Sequence, residues 1–187
     1  MKSKLICSLL ILTLLCSALL SACSKEPAPQ ELADSIGLAY KATDDGKSCI
    51  VTGMGSCTDT EVKIPETIDG LKVMAIGAGA FAKNEELTSV IIPFGVKIIA
   101  GSAFLKCPAL TSVTIPATTE KIAASAFRDC SSLEAVYYEG TPSDWNDLSI
   151  GESNDPLQAA SIFYFAENTP QSAGNYWHYV GGVPTKW

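Results

Sequence analysis

The chain has 187 residues, enough for one ordinary domain with a buried core, and its formal net charge is −7 at pH 7. An acidic chain without a cluster of Lys and Arg is a poor candidate for nucleic-acid binding. The same charge disfavours electrostatic docking to anionic lipid.

Residues 1–22 have the layout of a secretory signal peptide. Lys2 and Lys4 form a positive start, residues 5–20 are almost wholly apolar, and the small residues Ser21 and Ala22 follow. The sequence therefore predicts export. The apolar run is also long enough to cross a membrane, so its length alone leaves an uncleaved anchor open.

Residues 20–23 read Leu-Ser-Ala-Cys, which resembles the bacterial lipobox. The resemblance implies that Cys23 is diacylated on sulfur and becomes the new N-terminus after cleavage. Two acyl chains on one residue give a lasting anchor, so we expect the protein on the extracytoplasmic side of the bacterial membrane or at the cell surface. Ordinary secretion is the alternative. Residues 23–36 contain the lipidated cysteine and then a polar, proline-containing stretch that predicts a flexible tether.

An Asp-Gly pair predicts a β-hairpin over residues 37–57. Leu38, Tyr40 and Ala42 alternate with other residues toward Asp45-Gly46, and a second β-type run follows over residues 48–52. Such a hairpin would cover the strand edge and the apolar interior of whatever follows it.

Residues 58–138 repeat with a period of 23 residues. The recurring positions are Phe81, Phe104 and Phe127, then Leu87, Leu110 and Leu133, then Val90, Val113 and Val136, and Ile76, Ile99 and Ile122. A Leu-x-x-Val-x-Ile unit of this length is typical of a leucine-rich repeat solenoid. We predict a mostly β solenoid with short helical turns, about three and a half coils long, in which proline ends each strand.

The full pattern is Leu-x-x-Val-x-Ile-Pro, then Ile, then Ala-Phe and Cys, and it is similar to the BspA-like leucine-rich repeat family of bacterial surface proteins. Four positions depart from the family pattern: Ala100 and Ala123 replace a glycine that is present here as Gly77, Asn84 replaces the cysteine, and Thr119 stands where the other coils have Val73 and Val96. These departures concern packing only. The resemblance implies surface display and, for some members, adhesion-type binding.

Residues 139–187 predict a C-terminal cap with a short helix and an aromatic hairpin. Thr141, Pro142 and Asp144 form a capping box with proline at the first helical position, which places Trp145 over the open end of the solenoid. A β-type run follows over residues 162–165. Two glycines between the last apolar runs then predict a tight hairpin.

The first candidate site is the outward row of the strand stack, which consists of Lys63, Ile91, Thr114 and Tyr137. Exposed faces of solenoid sheets are broad and rigid, which suits the binding of an extracellular protein. The alternative is an ordinary solvated sheet face, because only Tyr137 is a residue type that commonly dominates binding energy.

The second candidate site is the aromatic tail, with Tyr176, Trp177, Tyr179 and Trp187. Flat aromatic rings can stack on a glycan or a small ligand. The alternative is structural, because cross-strand aromatic pairs stabilise hairpins on their own account.

Catalytic and metal sites have little support in the sequence. No nucleophile motif or phosphate-binding glycine loop is present, and one histidine without a Cys-x-x-Cys spacing disfavours zinc. We expect no enzyme, no cofactor and no metal. Cys107 and Cys130 read as buried thiols with a bridge as the alternative, and Cys49 and Cys57 could pair across a turn.

These observations together predict a lipid-anchored binding or adhesion module for a macromolecular partner. A glycan-binding or small-ligand-binding lipoprotein and a purely structural envelope protein are the alternatives.

Overall fold

The 23-residue period folds into a solenoid with two mainly parallel β-sheets, each with an antiparallel hairpin at one end. A computed structural model describes residues 32–187, so the predicted signal peptide, Cys23 and the tether up to residue 31 lie outside the described residues. In the order of their pairing, the front sheet contains β14 (Val183–Lys186), β13 (Tyr176–Val180), β12 (Ser161–Phe165), β10 (Ala135–Tyr138), β8 (Ser112–Ile115), β6 (Ser89–Ile91) and β3 (Glu61–Lys63).

The back sheet lies on the return side of each coil. It contains β1 (Ala39–Ala42), β2 (Ser48–Gly53), β5 (Leu71–Ile76), β7 (Ile98–Ile99), β9 (Lys121–Ile122) and β11 (Ser149–Ile150), and β4 (Thr67–Ile68) pairs with β5. Two short helices, α1 (Pro142–Asp147) and α2 (Asp155–Ala159), lie in the last coil.

Equivalent residues of successive coils lie directly opposite each other. Val90 pairs with Val113 and Val113 with Val136 in the front sheet, and Ile76, Ile99 and Ile122 are in register in the back sheet. Because side chains alternate between the two faces of a strand, this register stacks identical apolar residues in columns inside the coil. All six residues are at most 1% exposed.

The three phenylalanines form one continuous column in the core. The rings of Phe81 and Phe104 stack at 5.1 Å with 3° between their planes, and those of Phe104 and Phe127 at 5.0 Å with 13°. The backbone N–H of Phe81 donates to the carbonyl of Ala103, and that of Phe104 to the carbonyl of Ala126. Each coil therefore holds the next through both an aromatic stack and a hydrogen bond.

The array has about five coils instead of the predicted three and a half. The strand Ser161–Phe165 continues the parallel front sheet beyond Ala135–Tyr138. This last coil is not recognisable in the sequence, because the coil contains both helices and departs from the 23-residue spacing.

The predicted local signals at the two ends are confirmed. Ala39–Ala42 and Ser48–Gly53 form an antiparallel hairpin, whose turn is held by the Asp45 carboxylate accepting the backbone N–H groups of Lys47 and Ser48. Thr141 and Asp144 form the reciprocal capping box of α1. Trp145 packs edge-on against Tyr138 at 5.1 Å, so it contacts the last regular coil.

All four cysteines in the described part of the chain are buried free thiols. The thiol of Cys107 donates to the carbonyl of Phe81 at 3.1 Å, and that of Cys130 to the carbonyl of Phe104 at 3.0 Å. Cys107 and Cys130 therefore add a second inter-coil contact beside the phenylalanine column.

Candidate partner-binding surfaces

The outward row exists in the register that the sequence predicts. Lys63 pairs with Ile91, Ile91 with Thr114, and Thr114 with Tyr137, so the four side chains lie side by side across the front sheet. The predicted exposure of this row, however, is wrong. Ile91 is only 8% exposed and Thr114 only 1%. Another part of the chain must therefore cover the outer face of the front sheet.

The cover is the C-terminal hairpin formed by β13 and β14. Trp177 is fully buried, its ring meets that of Tyr137 edge-on at 5.4 Å, and its indole N–H donates to the carbonyl of Tyr138 at 3.0 Å. Lys186 places its ammonium 4.3 Å from the centre of the Phe163 ring. The front sheet thus curls at its C-terminal edge and lays the hairpin over its own outer face. The two surfaces predicted as separate sites are packed against each other.

A side-chain hydrogen bond fastens the hairpin beside its apolar contacts. The Tyr179 hydroxyl donates to the Glu139 carboxylate at 2.7 Å. Burial, together with the nearby charge of Glu66, raises the pKa of Glu139, although the bond from Tyr179 opposes that shift. Burial and the charge of Glu139 in turn raise the pKa of Tyr179 far above its ordinary value. The pair therefore keeps a carboxylate in surroundings that disfavour its charge.

The N-terminal segment, residues 32–36, secures the other side of the cover. The backbone N–H of Leu32 donates to the carbonyl of Gly181 in the turn of the C-terminal hairpin. Lys63 donates to the carbonyl of Leu32 at 3.0 Å and lies 3.3 Å from a carboxylate oxygen of Asp34. The backbone N–H of Ser35 donates to the carbonyl of Lys63, which protects the edge of the front sheet. Lys63 is therefore engaged within the domain.

The aromatic tail divides between two faces of the hairpin. Trp177 points to the front sheet and, being buried, is unavailable for stacking on a ligand. On the opposite face the Trp187 ring stacks on His178 at 3.9 Å with 14° between the planes, and Trp187 remains 47% exposed. Tyr176 is half-buried and Tyr179 is 38% exposed. Of the four predicted residues, Trp187 presents the most open ring.

The sequence reasoning missed the outer face of the back sheet. A row of side chains crosses this face, and we call it the back row: Lys41, Ile50, Ala75, Ile98, Lys121 and Ser149. Ile98 is 43% exposed, and both lysines are exposed. The same 23-residue period contained the signal, since Ala75, Ile98 and Lys121 immediately precede the buried isoleucines of three coils.

Other site types find no support in residues 32–187. This stretch contains no group of His, Cys, Asp and Glu side chains that could hold a metal ion. Nor does it contain a helix that is long and apolar enough to cross a membrane.

Comparison with known proteins agrees with this architecture. The family described as "BspA type Leucine rich repeat region (6 copies)" matches residues 55–153, more than half of the chain. The search of the curated proteins found no match to this chain.

Three solved structures share the fold. A leucine-rich repeat protein of T. pallidum is 22% identical with a TM-score of 0.55, and the match covers 73% of this chain and 72% of that one. A leucine-rich repeat protein of Bacteroides ovatus is 23% identical with a TM-score of 0.54, and the match covers 72% of this chain but only 34% of that one. A leucine-rich repeat protein of Bacteroides capillosus is 23% identical with a TM-score of 0.50, and the match covers 62% of this chain and 94% of that one. Repeat motif, register and family match agree, and the chain belongs to the BspA-type leucine-rich repeat family.

Proposed function

We propose that this protein is a lipid-anchored binding module of the bacterial cell surface that takes a macromolecular partner by surface complementarity. Leucine-rich repeat proteins are generally non-enzymatic interaction modules, and BspA-type members are typically bacterial surface proteins. The observation that carries the proposal is the open back row, a rigid line of apolar and basic side chains that the C-terminal hairpin leaves uncovered. A parallel stack fixes the spacing of such a line, which suits recognition of a macromolecule.

The anchor belongs to the same proposal. Cys23, in its lipobox-like context, would carry two acyl chains. The residues from Cys23 to Leu32 can span at most about 30 Å when fully extended. Leu32 lies at the turn of the C-terminal hairpin through its bond to Gly181. The anchor would therefore hold the domain close to the bilayer by its hairpin end.

Two measurements test this function. For the anchor, Cys23→Ser should abolish labelling by radioactive palmitate and block cleavage of the signal peptide, while Cys16→Ser should change neither. Retention of the label in Cys23→Ser would contradict the anchor. For the partner, cells that display the full chain should lose adhesion to host or neighbouring cells upon Ile98→Arg, and the matched variant Phe94→Arg should retain it. Both residues are exposed and apolar, at 43% and 64% exposure.

A glycan-binding function is the second candidate, and the exposed ring of Trp187 favours it. A tryptophan held flat by stacking on His178 offers one rigid face to a sugar. A specific hit on a glycan array that disappears in Trp187→Ala, with Tyr176→Phe as the mild control, would establish it. The absence of any hit would leave the protein-binding function or a structural envelope role.

A further inference from the structure

The back sheet differs in charge from the rest of this acidic chain. Its strands carry three lysines, Lys41, Lys72 and Lys121, and no Asp or Glu. The whole chain, by contrast, has 20 acidic and 13 basic residues. The concentration of lysines on one uncovered sheet therefore reverses the overall balance locally.

These three lysines have no ion-pair partner among the residues that the structure describes. Three of the carboxylates that flank the strands of this sheet are already engaged, whereas those of Asp44, Glu66, Asp147 and Glu152 lie outside the strands and make no ion pair in the described part of the chain. Glu120 pairs with Lys97 at 2.8 Å, and Asp69 accepts the hydroxyl of Tyr40. Asp45 accepts bonds within its own turn. The lysines of the back sheet are thus unpaired within residues 32–187 and available to an external group.

The back row arranges this charge around an apolar centre. Ile50, Ala75 and Ile98 occupy three adjacent strands, with Lys41 on one side and Lys121 on the other. Adjacent strands lie about 4.8 Å apart, so the two lysines are separated by four strand steps, about 19 Å. The backbone of these inner strands is already paired, so a ligand would meet side chains only.

We propose that the back row binds an acidic protein segment, with carboxylates about 19 Å apart that flank an apolar centre. This inference rests on the proposed binding function and names the chemistry of its partner. Aliphatic side chains between two cations complement leucine or isoleucine between two acids. The row offers neither an aromatic platform for sugars or bases nor a dense cluster of cations for phosphates, so a polypeptide fits it better than a glycan, a nucleic acid or a lipid surface.

A defined probe tests the proposal with the Cys23→Ser full-length chain. The probe is a fluorescein-labelled helical peptide of about 14 residues, which spans about 20 Å, with glutamates in its first and last turns and leucines between them. We expect saturable binding by fluorescence anisotropy that weakens as ionic strength rises, because exposed charges are screened. The same peptide with glutamine for glutamate should bind at least about tenfold more weakly.

The variant pair Lys41→Glu with Lys121→Glu should also weaken binding at least about tenfold. The matched control is Lys83→Glu with Lys106→Glu, which changes the net charge equally at two exposed turn positions away from the back sheet and should change binding less than about twofold. Ile98→Ser tests the apolar centre and should weaken binding without altering the salt dependence.

Equal losses in the two lysine pairs, or no binding of the acidic peptide, would overturn the proposal. Tighter and equally lysine-dependent binding of single-stranded DNA or phosphatidylglycerol vesicles would also overturn it, in favour of a general polyanion surface. If cell adhesion is lost in Ile98→Arg but unaffected in Lys41→Glu with Lys121→Glu, the binding function stands and the acidic partner is wrong.

Discussion

The side chain of Asn154, in the last coil, takes the place of an alanine carbonyl as the acceptor for the Phe127 backbone N–H. In the earlier coils the phenylalanine N–H donates to an alanine carbonyl of the next coil, but after Phe127 no such alanine follows, and the Asn154 side-chain oxygen accepts this N–H at 2.9 Å. The amide nitrogen of Asn154 donates to the carbonyls of Ala123 and Gly151 at 3.0 and 2.8 Å. One buried amide therefore closes the C-terminal end of the hydrogen-bond ladder.

Replacing this amide should destabilise the whole domain. Asn154→Ala leaves the backbone N–H of Phe127 without a partner in the core, which should lower the free energy of unfolding by about 1–3 kcal/mol. Urea denaturation followed by circular dichroism measures the loss. Asn168→Ala, at an exposed position, is the control and should stay within about 0.5 kcal/mol of wild type. A similar small effect in Asn154→Ala would mean that the terminal coil contributes nothing to stability.

The phenylalanine column should be the most sensitive part of the core. Phe104 is fully buried between two stacked rings, so Phe104→Ala should cost about 3–5 kcal/mol of unfolding free energy. The identical substitution at Phe94, which is 64% exposed, should cost less than about 0.5 kcal/mol. Phe104→Leu keeps part of the volume and gives a measurable loss if the alanine variant fails to fold. Equal effects at positions 94 and 104 would refute the column.

Glu139 should make the domain less stable as the pH rises. Its folded pKa is raised above the ordinary value of 4.5, chiefly by burial, so the fold favours the protonated acid. The associated stabilisation is complete below the unfolded pKa and is lost as the pH rises through the folded pKa. Glu139→Gln keeps an acceptor for Tyr179 and removes the charge.

We therefore expect Glu139→Gln to match the wild type near pH 4 and to be the more stable protein at pH 7. Urea midpoints measured for both proteins across this range give the difference in stability directly. Because the two proteins share every other acidic residue, the contributions of those residues cancel in this difference. A wild type that gains stability relative to the variant on going from pH 4 to pH 7 would show that the bond from Tyr179 outweighs the burial of the carboxylate.

The cover over the outward row should depend on Trp177. Trp177→Ala removes the buried ring that joins the C-terminal hairpin to Tyr137 and should expose Thr114. The rate at which maleimide labels a cysteine introduced as Thr114→Cys would measure this exposure. Mass spectrometry of the peptide that contains residue 114 follows the labelling. We expect slow labelling in the otherwise native chain and in Trp187→Ala, and labelling at least about tenfold faster with Trp177→Ala. Equal rates in all three proteins would contradict a hairpin held by Trp177.

The sequence was sufficient for features that repeat or act locally. The 23-residue spacing predicted the register of Val90, Val113 and Val136, because equivalent positions on successive coils must lie opposite each other. The capping box of Thr141 and Asp144 followed from residues three apart. Signals of this kind need no knowledge of the tertiary structure.

The covered outward row could not be predicted in the same way. Its burial depends on contacts between residues far apart in the chain, such as Trp177 with Tyr137 and Leu32 with Gly181. The alternation of residues in the strands Tyr176–Val180 and Val183–Lys186 predicts a hairpin, but it carries no information about the surface on which that hairpin lies. The back row repeats with the same period, but the Leu-x-x-Val-x-Ile motif marks the strands of the front sheet and does not indicate which sheet face stays uncovered.

The C-terminal hairpin also limits how long this array can be while its front face stays shielded. A coil duplicated in the repeats would lengthen both sheets by one strand spacing, about 4.8 Å, whereas the hairpin has a fixed size. Because the array is short, the hairpin and the N-terminal segment together are enough to bury Ile91 and Thr114 in the outward row. In a protein with the same tail and more coils, part of that face would be left bare and could recruit ligands of its own.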